Sequence, residues 1–299
     1  MSALTTRSGR ALRQARRSPY PLWFLIPAIV IYAALFLVPT FASFYFSLTR
    51  WSLFDVEFIG LDNFATFFRE PFLIRGLGNT FLFAAITSAL KVVIGLALGV
   101  LLTSQVLGRG YLRSVVFFPV LVSVVGVGIT FSVLMHPTDG LINETLALVG
   151  IEGPGWLTDP NLALISVALV DVWRGVGLAA LIYIAGIVAI PGEYYEAARV
   201  DGAGGWAVFR NITLPLLGPA TATVITLSLI GGLRSFDLIW AMTGGGPGFS
   251  SDVVASVIFK QYQSGFYGLS TAGNVVLFIV VAAIVVPLSW LLNRKPVDR

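Results

Sequence analysis

The stretch PGEYYEAARVDGAGGWAVFRNITLPLLGP, residues 191–219, separates two long apolar runs of the chain. Pro191 suits the first turn of a helix, and Glu193 follows it where the helix dipole favours a negative charge. Gly202 can end such a helix in the left-handed conformation that residues with a side chain rarely adopt. The stretch therefore predicts a short surface helix with small alanines on one face, placed between two apolar segments.

The composition places those apolar segments in a membrane. The chain has 299 residues, of which 57% are hydrophobic and 11% charged, and its mean hydropathy is +0.88. Soluble proteins average about 45–50% apolar and about 25% charged residues. A soluble fold of this length could not hide so much apolar surface. A soluble enzyme, a disordered chain and a disulfide-linked secreted module are therefore excluded.

Six segments are long enough to span a bilayer, which takes about 20 mostly apolar residues. They cover residues 22–48, 77–103, 114–134, 162–190, 216–242 and 272–292. We therefore predict an all-α membrane protein with six transmembrane helices in one domain, residues 22–292. A basic N-terminal segment, residues 1–21, precedes the domain, and a short tail, residues 293–299, follows it.

The basic residues predict the orientation. Twelve of the 19 lysines and arginines fall in the termini and the even-numbered loops, four fall in the other loops and three lie within spans. Because cytoplasmic loops carry more Lys and Arg, we expect both termini and the 191–219 stretch to be cytoplasmic. The net charge of +4 reflects this bias and does not indicate nucleic-acid binding. The arginines before residue 22 also resemble the start of a signal peptide, but the apolar run after them is too long for one.

Several kinds of chemistry are excluded by residues that the sequence lacks. There is no cysteine and one histidine, His136, so thiolate and histidine-rich metal sites are excluded. None of the three lysines, Lys91, Lys260 and Lys295, belongs to a Walker A phosphate loop. If ATP drives this protein, another subunit must bind it.

Five ionisable residues lie within the predicted spans, where charges are costly and usually face a cavity or a partner. They are Lys91, Asp171, Arg174, Arg234 and Asp237. The spacing suggests two i,i+3 pairs, Asp171 with Arg174 and Arg234 with Asp237. Both pairs lie roughly 12–14 Å from one end of their spans, so cross-pairing is also possible. These charges either hold helices together or line a translocation pathway, and Lys91 needs an acidic partner, for which Asp171 is a candidate.

The 191–219 stretch resembles the EAA signature of binding-protein-dependent ABC importer permeases. Glu196-Ala197-Ala198, then Gly202, then Ile212 to Pro215 match its fixed positions at the right spacing. The resemblance implies a type I ABC importer permease whose surface helix couples it to an ATPase. The implied coupling residues are Glu196, Ala197, Ala198, Asp201, Gly202, Ile212, Leu214 and Pro215.

The same resemblance implies the partners: a second homologous permease, two ATPase subunits that bind ATP and Mg²⁺, and an extracytoplasmic substrate-binding protein. This chain would hold no cofactor itself. It would lie in the cytoplasmic (inner) membrane of a prokaryote and contact the lipid bilayer as a multi-pass subunit.

Loops and one helix segment resemble the carbohydrate-uptake branch of that family. The loops are residues 58–64, 140–143, 156–160 and 243–247, and the helix segment is Asp171 to Gly175. The fifth span departs from the pattern, because Gly231 and Gly232 stand where larger polar residues are common. The implied substrate-pathway residues are Asp171, Trp173, Arg174, Gly175, Ser228, Gly231, Gly232, Arg234 and Ser235.

We therefore expect a transport subunit, not an enzyme, that moves a sugar or oligosaccharide by alternating access. A polyol-phosphate importer, such as one for glycerol phosphate, is the alternative within the family. Two alternatives come from other classes of protein. An ion-coupled secondary transporter would use the buried charges as ion sites and would show an inverted repeat. A membrane enzyme, such as a lipid-linked transferase, would need clustered acids for Mg²⁺ near the membrane surface.

Overall fold

The computed structural model describes residues 22–52 and 54–293. The predicted basic segment, residues 1–21, lies outside the described residues, as does the tail after residue 293. Residues 22–45 belong to a unit of their own. Its described part starts with a 3₁₀ turn, Leu22–Leu25, and its helix widens into a π segment, Ala33–Leu37. The helix on either side of the π segment buries none of its residues, as expected for a span that faces lipid.

The described chain is mainly helical. In chain order the α-helices are α1 Ile26–Tyr32, α2 Val38–Phe46, α3 Asp62–Arg69, α4 Pro71–Thr103, α5 Arg109–Leu121, α6 Val124–Leu134, α7 Leu141–Leu148, α8 Ala163–Val188, α9 Gly192–Val200, α10 Gly205–Val208, α11 Leu214–Leu216, α12 Gly218–Leu233, α13 Asp237–Thr243, α14 Val254–Gln263 and α15 Tyr267–Asn293. A π segment, Phe209–Thr213, joins α10 to α11. The all-α expectation misses one small antiparallel hairpin, β1 Thr49–Trp51 with β2 Val56–Phe58, in which Arg50 is opposite Glu57.

Four helices of the described chain are long and apolar enough to cross a membrane, and bent pairs raise the number to six. The prediction of six spans is therefore met only if each bent pair counts as one span. Helices α5 and α6 meet at 99° and the segments on either side of Leu217 meet at 64°, so the third and fifth predicted spans are each bent. Pro119 lies inside α5 and deprives the helix of a backbone donor just before the first bend.

The fifth predicted span, residues 216–242, is also interrupted before its end. Helix α12 ends at Leu233, and α13 starts only at Asp237. The end of α12 contains two consecutive glycines, Gly231 and Gly232, which lower helix propensity by about 1 kcal/mol each. Hydropathy alone cannot detect this break, because both helices are apolar.

Helices α4 and α8 form the centre of the fold by approaching closely at glycines. A methyl group on Gly95 would lie 2.7 Å from Cβ of Ala179, and one on Gly99 would lie 2.6 Å from Cβ of Tyr183. Both distances are shorter than a real contact allows. Since lipid tails compete equally for apolar side chains, close backbone packing at small residues is what holds membrane helices together.

A hydrogen-bonded loop precedes α14. The turn predicted at residues 243–247 is confirmed, with Gly244 and Gly245 at φ 58° and 88°. Asp252 is fully buried and bonded to Lys260 Nζ at 2.7 Å, and Asn79 Nδ2 donates to the carbonyl oxygens of Ser250 and Asp252. The loop is therefore anchored to both α4 and α14.

Candidate functional site

A cavity of about 330 Å³ lies among α4, α8 and α12 and the start of α13. Its lining is polar for a membrane interior. Of the residues predicted for a substrate pathway, seven line it: Asp171, Arg174, Gly175, Ser228, Gly231, Arg234 and Ser235. The lining also includes Lys91 and Asp237, together with apolar residues that the sequence did not single out, such as Leu178, Leu227 and Phe236.

An ion pair crosses from α4 to α8 at the wall of this cavity. Lys91 Nζ lies 2.5 Å from Oδ2 of Asp171, and the two side chains are 10% and 16% exposed. The prediction that Lys91 pairs with an acid, with Asp171 as a candidate, is thus confirmed. A methyl group on Gly175 would lie 2.7 Å from Cε of Lys91, so the glycine makes room for the lysine stem.

The two predicted i,i+3 pairs are wrong. Among the described residues, no ion pair within 4.0 Å joins Asp171 to Arg174 or Arg234 to Asp237, and none joins the two sets. The carboxylate of Asp171 is bonded to Lys91 instead. Arg234 caps the end of α12 and Asp237 begins α13, so they do not share a continuous helix.

The two arginines of the cavity therefore lack a carboxylate partner within the described chain. Arg174 is partly buried on α8, and its Nε is fully buried without a hydrogen-bond partner. Arg234 is exposed at the C-terminal end of α12, where the helix dipole favours a cation. Asp237 is exposed in the first turn of α13, where the dipole favours an anion.

Two predicted pathway residues lie elsewhere. The indole of Trp173 is 45% exposed and packs against Phe131 at a ring distance of 5.1 Å, away from the cavity. A methyl group on Gly232 would lie 2.6 Å from Cα of Ala84, so this glycine provides close packing of α12 on α4. The small residues in and just after α12 thus differ in role: Ser228, Gly231 and Ser235 line the cavity, whereas Gly232 packs on α4.

Helix α9, which we call the EAA helix, is ended by a Schellman motif. Gly202 has φ 71°. The amide of Ala203 donates to the Ala198 carbonyl at 2.9 Å, and that of Gly202 donates to the Arg199 carbonyl at 3.1 Å. These two bonds satisfy carbonyls that the helix end would leave free. The predicted left-handed cap is confirmed.

One face of the EAA helix is held by the protein and the other is open. Ala198 is buried, and the hydroxyls of Tyr195 and Thr213 lie 3.3 Å apart. Glu196 and Ala197 are exposed, as are Asp201 and Gly202. The two alanines of the signature therefore face in different directions.

The remaining signature residues lie between the EAA helix and α12. Ile212 is in the π segment, and Leu214 and Pro215 form α11. The helix that leads into α12 begins at Gly205 and bends at Leu217, so it starts before the predicted fifth span, residues 216–242. Thr213 and Leu217, both buried here, were missed by the sequence analysis. The bend at Leu217 could have been predicted from the sequence, because Gly218 and Pro219 follow it.

No group of three or more metal-ligating side chains occurs in residues 22–52 and 54–293. The arrangement offers a charged cavity within an apolar helix bundle and an exposed helix, and both are features of a transport protein.

The comparison with protein families decides the assignment. Residues 91–294 match the family described as "Binding-protein-dependent transport system inner membrane component". The chain belongs to this family. It is therefore a multi-pass inner-membrane permease subunit, and not an enzyme.

Curated relatives cover most of the permease. A probable ABC transporter permease protein of Bacillus subtilis is 34% identical over 88% of this chain and 92% of its own. The trehalose/maltose transport system permease protein MalF of Thermococcus litoralis is 31% identical over 86% and 88%. The sulfoquinovosyl glycerol transport system permease protein SmoG of Agrobacterium fabrum is 34% identical over 86% and 83%.

Solved structures show the same fold. A chain of a bacterial ABC transporter involved in import of the acidic polysaccharide alginate superposes with a TM-score of 0.80 at 23% identity, covering 97% of the permease and 100% of that chain. A second structure, the alginate transporter with a pentasaccharide-bound periplasmic protein, gives 0.78 at 24% identity, covering 91% and 94%. The permease therefore has the type I ABC importer fold.

Proposed function

We propose that the permease carries a sugar or oligosaccharide across the membrane as part of an ATP-driven importer. The observation that carries this proposal is the polar cavity among α4, α8 and α12, which could hold hydroxyl-rich substrate inside an apolar helix bundle. The names of several relatives support the substrate class. They include permeases for trehalose and maltose, for multiple sugars and for diacetylchitobiose.

The open face of the EAA helix is the proposed docking surface for an ATPase subunit. Glu196, Ala197, Asp201 and Gly202 would contact the ATPase, while the buried Ala198 holds the helix to the permease. ATP and Mg²⁺ would then bind to the ATPase subunits, and the EAA helix and both termini would lie in the cytoplasm. The twelve basic residues predicted on that side support this orientation.

Motion of the EAA helix can reach the cavity through two covalent routes. The helix follows α8 directly, and it continues through the π segment and α11 into α12. Both α8 and α12 line the cavity. A rigid-body shift of the EAA helix would therefore move two cavity walls together, which is what alternating access requires.

The proposed assembly contains a second homologous permease, two ATPase subunits and an extracytoplasmic binding protein. One of the solved relatives, the alginate transporter, is in complex with a pentasaccharide-bound periplasmic protein. In this assembly the cavity of each permease would face the other across the pathway.

The test is uptake by the complete importer in proteoliposomes, with its binding protein outside and ATP inside. We expect uptake of a saccharide that binds the binding protein in a thermal-shift screen, and we expect vanadate to stop it. Uptake that persists without ATP and stops when ion gradients are collapsed would instead indicate a secondary transporter. Uptake of glycerol phosphate alone would favour the polyol-phosphate alternative.

A further inference from the structure

The charges of the cavity do not balance within the permease. Five ionisable side chains line it, three basic and two acidic. Lys91 and Asp171 neutralise each other across 2.5 Å. What remains is Arg174 and Arg234 against the single carboxylate of Asp237, and no ion pair within 4.0 Å joins them in the described chain. The cavity therefore presents a net positive charge.

Arg174 is the charge whose position most needs a partner. It lies near the middle of α8, away from both helix ends, so no helix dipole compensates it. Its Nε is buried and makes no hydrogen bond to any residue that the structure describes. An unpaired guanidinium within a membrane is costly, and such residues usually serve a substrate or a partner.

Arg234 and Asp237 differ from Arg174 because each lies at the end of a helix whose dipole favours its charge. Asp237 therefore does not need an arginine to be stable where it is. The guanidinium of Arg234 is exposed at the cavity, with its donors available.

We propose that the transported saccharide carries an acidic group, a carboxylate, sulfonate or phosphate, and that Arg174 and Arg234 bind it during passage. This rests on the proposed function of a sugar importer. Oxyanions are the ligands that arginine binds best, because two parallel N–H donors match two oxygens. Hydroxyl groups of a neutral sugar would leave the positive charge uncompensated. The Lys91–Asp171 pair is already satisfied and takes no part in binding the acidic group.

The first arm of the test uses the binding protein of the same importer. Thermal-shift titration compares pairs that differ only in charge: glucuronate-ended and glucose-ended disaccharides of one linkage, and 6-sulfo, 6-phospho and unmodified hexoses. We expect the acidic member of a pair to bind. Binding of neutral saccharides alone overturns the inference but leaves the sugar importer intact. Binding of none of the saccharides overturns the proposed function itself.

The second arm measures uptake of the acidic saccharide by the complete importer. We expect Arg174→Gln and Arg234→Gln each to lower uptake about tenfold to a hundredfold, through loss of a hydrogen bond between charged groups. Arg174→Lys keeps the charge but not the two parallel donors, so it should recover only part of the uptake. Arg75→Gln is the matched control, because Arg75 is exposed on α4 and does not line the cavity.

The two glutamine variants also distinguish substrate binding by an arginine from a structural role in holding helices together. If an arginine only holds the helices, its loss lowers uptake of the acidic and neutral members of a pair equally, which overturns the inference. So does unchanged uptake in both glutamine variants. The amount of assembled complex in the membrane is measured for each variant. If Arg174→Gln does not assemble, uptake by Arg234→Gln tests the inference by itself, because Arg234 is exposed.

Discussion

The EAA helix and the cavity differ in how their residues are held. Every bond that ends the EAA helix joins residues at most five positions apart, from Ala198 to Ala203. The ion pair of the cavity joins Lys91 and Asp171, which are 80 positions apart. The first site is built by local sequence, and the second exists only once three helices have packed.

That difference predicts which substitutions lower the stability of the permease most. A local motif can fail without affecting the helix bundle, since only its own turn depends on it. A charge pair buried between two spans supports both, and losing one partner leaves the other unpaired in a medium that solvates it poorly. The variants below compare the two sites in order of decreasing effect on stability.

The largest loss of stability is expected for Lys91→Met, which leaves the carboxylate of Asp171 buried without its cation. Removing one partner of a buried ion pair costs about 3–5 kcal/mol. The double variant Lys91→Met with Asp171→Asn removes both charges and should recover most of this. Thermal unfolding of the purified complex, monitored by intrinsic fluorescence, measures both. If the double variant is no more stable than the single one, the pair does not support the fold as described.

The sequence predicted the membrane class, most span positions and the end of the EAA helix, because these depend on composition or on neighbouring residues. Predictions from the sequence failed where the structure depends on residues that are far apart in the chain. The spacing of Asp171 and Arg174 allowed a salt bridge, yet Lys91 from another helix takes the carboxylate. Hydropathy could not separate α12 from α13, since both are apolar. Three of the seven predicted pathway residues that line the cavity, Asp171, Arg174 and Arg234, were singled out as charges within apolar spans, independently of the family resemblance.

The next largest effect concerns two adjacent glycines. Gly232→Ala would place a methyl group 2.6 Å from Cα of Ala84, whereas the same change at Gly231 meets nothing within 4 Å. Overpacking against a backbone costs about 1–3 kcal/mol, while Gly231→Ala should be neutral or slightly stabilising because alanine favours helix. Unfolding temperatures of the two variants give the comparison. Equal destabilisation by both would show that α12 does not pack on α4 through Gly232.

A smaller effect on stability, but a complete loss of uptake, is expected for Gly202→Asp. The left-handed backbone, φ 71°, should cost about 1 kcal/mol with a side chain present. No residue in the described ranges lies within 4 Å of the added Cβ, so the helix bundle should insert and assemble normally. The exposed carboxylate would stand where the ATPase is proposed to dock.

Gly204→Asp is its control, because Gly204 has φ −69° and an equally open environment. The readouts are saccharide uptake, ATPase stimulation by the loaded binding protein, and the amount of complex in the membrane. Normal uptake together with normal ATPase stimulation in Gly202→Asp would contradict the coupling role. Loss in both variants would point to charge near the loop as the cause, independent of the cap.

The smallest stability change is expected at the surface pair of the EAA helix. Arg199 Nη2 lies 4.0 Å from Oε1 of Glu196, and the side chains are 74% and 72% exposed. Exposed pairs at this spacing contribute at most about 0.5 kcal/mol, so Arg199→Gln and Glu196→Gln should unfold at nearly the same temperature as the parent. Their effects on uptake should differ if Glu196 contacts the ATPase and Arg199 serves only as its neighbour. Uptake by Glu196→Gln would then fall while Arg199→Gln stays near normal. An equal loss of uptake in both variants would mean that Glu196 and Arg199 act as a pair, and that coupling depends on their 4.0 Å contact.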